Sequence, residues 1–131
     1  MAMTANLLGT YRPCTQDASK LVQSIRLRAS DPSLMDDEEA LPDSATVEAA
    51  TDFVSELFAL LEVPPPTARV GTFFGEVNVV WQAGTRSVRI AFFPDRPILL
   101  VFGDVSQPSG SYRGDANPSP SEVAARLIAL T

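Results

Sequence analysis

GEVNVVWQAGTRSVRIAFF, residues 75–93, alternates apolar and polar side chains on either side of one turn signal. Period-two alternation marks a half-buried strand, because successive side chains leave the backbone on opposite faces. Gly84 supplies the permissive backbone of a tight hairpin. A two-residue loop at Ala83-Gly84 sets Gln82 opposite Thr85, Trp81 opposite Arg86, Val79 opposite Val88 and Val77 opposite Ile90. One face then carries Val77, Val79, Trp81, Val88, Ile90 and Phe92, and the other Glu76, Asn78, Gln82, Thr85, Ser87 and Arg89. A slip by one residue would mix the two sets, so the pattern specifies its own faces.

Working outward, Phe74-Gly75 forms a second turn that sets Thr72 against Val77 and Val70 against Val79, adding a strand over 67–73. PDRP at 94–97 is a turn by its two prolines and aspartate. It leads to ILLVFG, a fourth strand that is apolar on both faces. Upstream, Asp43 or Ser44 caps a helix whose stripe is Val47, Ala50, Val54, Leu57 and Leu61, widened by Phe53 and Leu60. Pro64–Pro66 end it by removing backbone donors. Downstream, Ser119, Pro120 and Glu122 spell a capping box ahead of Val123, Leu127 and Leu130. The expected fold is α+β, a four-stranded antiparallel meander with an N-terminal and a C-terminal helix on the Val77/Val79 face. The expected organisation is a single domain over 1–131, with an irregular acidic segment at 1–42 and the core at 43–131. Within the acidic segment, QDASKLVQSIRLRAS at 16–30 reads as a short helix with Leu21 and Ile25 on one face. It reads equally as a short strand with Val22, Ser24 and Arg26 outermost.

Prolines after a helix, then Gly75, Val77, Val79 and Trp81, then alternating Val88 and Ile90, resemble a set of small uncharacterised bacterial proteins. Their pattern is P-x-P…G-x-I-x-L-x-W followed by a second alternating strand, and the similarity spans residues 64–102. The resemblance implies a shared fold and assigns no activity and no site residue.

The net charge is −6, and eleven of the sixteen acidic residues fall in 1–66. An acidic balance disfavours the nucleic-acid backbone, which needs clustered Lys and Arg to displace counterions, and suits a basic protein partner. Asp36 to Glu39 form an acidic run between Pro32 and Pro42. The run reads as a solvated loop that a partner could order through Leu34, Met35 and Leu41. Apolar runs fall short of the ~18 residues of a membrane span, and the first residues lack the pattern of a signal peptide. The expected compartment is the cytoplasm, where a lone Cys14 suits reducing conditions. Without histidine, and with one cysteine, imidazole or paired-thiolate metal sites are excluded, and no cofactor is expected. Acid–base catalysis would rest on Asp104, Asp115 or Glu76, which nothing in the sequence pairs.

Three sets of residues stand out as candidates. Asn78, Glu76 and Arg89 form a polar cluster across two strands, readable as a recognition site or as a solvated cross-strand set. One alternating set of the last strand, Ile98/Leu100/Phe102 or Leu99/Val101, must face away from the helices, with Phe93 beside it. That leaves an apolar strip at the sheet's last edge for a partner or a second copy. SGSYRGD at 109–115 offers backbone amides to an anion, but it lacks the lysine of a phosphate loop and reads as loop. Trp81 reads as core rather than as an interface anchor. The expected function is a non-catalytic protein-binding module of the antitoxin, immunity or inhibitor kind. The alternatives are an acidic secretion-type chaperone and a small ligand-binding or enzymatic domain.

Overall fold

The computed structural model describes residues 14–31, 41–107 and 111–130. Within them the order is α1 (Thr15–Ser30), α2 (Ser44–Ala59), β1 (Arg69–Phe73), β2 (Glu76–Ala83), β3 (Arg86–Phe92), β4 (Leu99–Asp104), β5 (Ser111–Ala116) and α3 (Pro120–Leu130). The five strands pair antiparallel in chain order, with β1 and β5 at the edges. The α+β class and the meander agree with the sequence reading. The described chain nevertheless has three helices where two were expected, and five strands where four were.

The inner face of the sheet is the expected one. Val77, Val79, Trp81 and Ile90 are fully enclosed, with Val88 and Phe92 nearly so. They pack against Leu21 and Ile25 of α1, Val54 and Leu57 of α2, and Val123 and Leu127 of α3. Phe53 meets Phe92 edge-on, with ring centroids 5.6 Å apart. Asp43 caps α2 by accepting from the Thr46 amide at 2.7 Å, which lowers its carboxyl below the usual carboxylate range. The Ser119 hydroxyl accepts from the Glu122 amide at 3.2 Å and donates to the Glu122 carboxylate at 3.5 Å. Leu60, expected to widen the α2 stripe, is instead 49% exposed just past the helix.

The β1–β2 register is as read, Thr72 with Val77 and Val70 with Val79. The β2–β3 register differs by two residues: Ala83 pairs with Arg86, Trp81 with Val88, Val79 with Ile90 and Val77 with Phe92. The loop is therefore Gly84-Thr85. Gly84 has φ +61° and is the only residue of that loop in the left-handed region, matching a II′ turn with glycine first. An Ala83-Gly84 loop of the I′ kind would have forced Ala83 to positive φ. A shift of two conserves the faces, which is why the burial pattern was right while the partners were not.

Two further elements correct the sequence reading. Residues 16–30 resolve as helix, with Leu21 and Ile25 inward; Cys14, Ala18 and Ala29 complete the stripe. SYRGDA, taken as loop, is an edge strand paired along its length with β4, Val101 opposite Gly114 and Phe102 opposite Arg113. The acidic run Asp36–Glu39 lies outside the described residues. Among the described residues, no helix is long and apolar enough to cross a membrane.

Candidate interaction face

The three described helices lie on the inner face, and among the described residues the outer face of the sheet is built from the strands. One cross-strand row is Gly71, Asn78, Ala91, Leu99 and Ala116; the next is Arg69, Val80, Arg89, Val101 and Gly114. Ala91 is fully buried, while Val80, Leu99 and Val101 are partly buried. Arg69 and Arg89 are exposed and stand on either side of Val80. The Arg69 guanidinium donates to Gln82 Oε1 at 3.1 Å. Glycine at 71 and 114 keeps both margins of the apolar centre low.

Asn78 donates through Nδ2 to Glu76 Oε1 at 2.6 Å, and its Oδ1 is buried with no partner among the described residues. Asn78 and Arg89 are diagonal neighbours on the outer face rather than a direct pair, since Asn78 sits opposite Ala91 and Arg89 opposite Val80. Leu99 faces outward, but Leu100 is 1% exposed and faces inward opposite Ile90. Phe102 also faces inward, with the Arg126 guanidinium 3.7 Å from its ring centroid. The strip is not at an edge either, because β5 covers that side of β4. Phe93 follows β3 and is partly buried, with Arg96 4.9 Å from its ring.

At the lower end of the face, the β1–β2 turn carries an aromatic pair. Phe73 and Phe74 are 54% and 55% exposed and stack edge-on, with centroids 4.4 Å apart. Phe74 has φ +49° and Gly75 φ +84°, the two left-handed residues of a I′ turn. Left-handed backbone strains a side chain with a Cβ by roughly 1–2 kcal/mol, and asparagine is the usual occupant. A bulky aromatic there is unfavourable twice, through backbone strain and through apolar exposure. Sequence reading located this turn without marking its occupant; the signal was phenylalanine where Asn-Gly is preferred.

Burial pushes the Cys14 thiol up, with Asp17 adding to the shift, and its Sγ donates to the Leu61 carbonyl at 3.4 Å. Among the described residues, no three Cys, Asp or Glu side chains cluster as metal ligands would. Trp81 is core, and its buried indole N–H has no partner among the described residues. Among the described residues the fold is a two-layer α+β arrangement, with the three helices on one face of the sheet. Comparison with family models, curated proteins and solved structures gives no match.

Proposed function

We propose that the chain is a non-catalytic protein-binding module, of the kind that neutralises or escorts a protein partner, and that the partner docks on the outer sheet face. The observation that carries this is Phe74: a half-exposed aromatic in left-handed backbone, stacked on a second exposed aromatic at the margin of an apolar sheet face. Strain and apolar exposure concentrated at one spot are tolerated where binding uses them. The aromatic pair lies at the Glu76 end of the face, and Val80, Leu99 and Val101 lie further in, with Arg69 and Arg89 on either side of Val80. Such a surface suits a partner with apolar residues flanked by carboxylates.

The test separates binding from folding. Phe74→Asn removes the ring and places a residue suited to I′ geometry, so the monomer should melt at the same or a higher temperature. Leu99→Glu puts a charge on the outer face. Both variants and the wild type are used for affinity capture from the native host, and each is weighed by sedimentation velocity. The expected result is a specific partner retained by the wild type and lost by both folded variants. A mass near twice the monomer, lost in the same variants, would identify a second copy as the occupant and replace the heterologous partner. Equal capture by all three chains overturns the reading.

A further inference from the structure

A second surface lies on the opposite side of the sheet, at the Gly84 end, where α3 packs against β3 and its Arg126 reaches Phe102 of β4. A cleft of about 220 Å³ opens there, and three arginines are among its lining residues: Arg86 from β3, Arg113 from β5 and Arg126 from α3. Its apolar wall includes Val88 and Phe102. The guanidinium carbon of Arg126 lies 3.7 Å from the Phe102 ring centroid, a cation–π contact that holds the charge over the ring. Register places Arg113 directly beside Phe102 on β5, so these two cations flank one aromatic. Neither makes an ion pair with a described residue.

Among the described residues Asp104 is the one carboxylate in the lining, and it stands opposite Arg86 on the neighbouring strand. Hydrogen bonds from Ser106 and Thr85, with the Arg86 charge adding to them, hold its carboxyl below the usual carboxylate range. Its Oδ1 accepts from the Ser106 amide at 2.9 Å and from the Ser106 hydroxyl at 2.7 Å. Among the described residues, three cations against one carboxylate leave a surplus of two positive charges, on a chain whose net charge is −6. Arginines drawn from three separate elements into one small cleft repel one another unless an anion enters. We infer that this cleft binds a small phosphate monoester, with the dianionic phosphoryl group among Arg86, Arg113 and Arg126 and the organic part against the Val88/Phe102 wall. A monocarboxylate would leave the surplus half unmatched. Guanidinium forks meet phosphate oxygens in bidentate geometry, which favours the phosphoryl group further. The volume admits a small molecule rather than a protein surface.

The inference is independent of the outer-face reading and uses different residues. It is tested on the full chain by calorimetry and by thermal shift, with phenyl phosphate, inorganic phosphate and benzoate as probes at matched ionic strength. Phenyl phosphate should bind most tightly and raise the melting temperature; inorganic phosphate should follow and benzoate should be weakest. Arg113→Gln, on an exposed edge residue, and Arg126→Gln should each weaken phenyl phosphate by about tenfold or more. Arg96→Gln, remote from the cleft, should leave it unchanged. Absence of saturable binding at millimolar phenyl phosphate overturns the proposal, as does an Arg113→Gln variant that binds like Arg96→Gln. Binding of a single-stranded oligonucleotide with phenyl phosphate silent also overturns it.

Discussion

Leu57 is fully enclosed on the inward side of α2. Leu57→Ala should destabilise the fold by about 2–5 kcal/mol, the range for buried leucine truncation, read from the urea midpoint at unchanged slope. A loss below about 0.5 kcal/mol would place the side chain outside the core. Residues of this kind were legible because each lies in a stripe or an alternation whose partner face is polar. Outer-face residues were legible only in part. Asn78 and Arg89 follow from the alternation of β2 and β3. Leu99 and Leu100 could not be told apart, because ILLVFG is apolar in both sets and only the span of the Phe93–Ile98 connection decides. The structure settles it by pairing Ala91 with Leu99, which turns Leu100 and Phe102 inward.

At the scale of elements, α2 shows a local device with a pH signature. Hydrogen bonds from Thr46 hold the Asp43 carboxyl below the usual carboxylate range. A folded-state value depressed below the unfolded one contributes stability above the unfolded pKa. That contribution is lost as pH falls through the folded value. Asp43→Asn retains a good cap but cannot titrate. The melting-temperature advantage of wild type over Asp43→Asn should therefore shrink as pH falls below the ordinary aspartate range. An advantage that stays constant from neutral to strongly acid pH would show that the cap carries no linkage. The capped helices were readable from such signals. α1 was left ambiguous because Cys14, Ala18 and Ala29, small residues, fill much of its stripe and hydrophobicity alone does not mark them. β5 was missed because residues 113–116 are exposed and unpatterned; the backbone of β4, not the composition of β5, makes it a strand.

For the whole molecule, the acidic balance conceals an uneven surface. Arg69 of β1 and Arg89 of β3 stand on the outer face, and Arg86, Arg113 and Arg126 line the cleft on the inner side. The meander has one more consequence, which concerns time. Every strand pairs with its neighbour in sequence, so each pairing closes only a short loop before contacts form. The β2–β3 hairpin, with a two-residue loop and the innermost side chains, is the natural place for folding to begin. Contacts from α3 must wait for a sheet to pack against. Stopped-flow refolding should give Ile90→Val a φ-value above about 0.5 and Leu127→Ala one below about 0.3. The reverse ranking would mean that the helices assemble first and that the sheet condenses onto them.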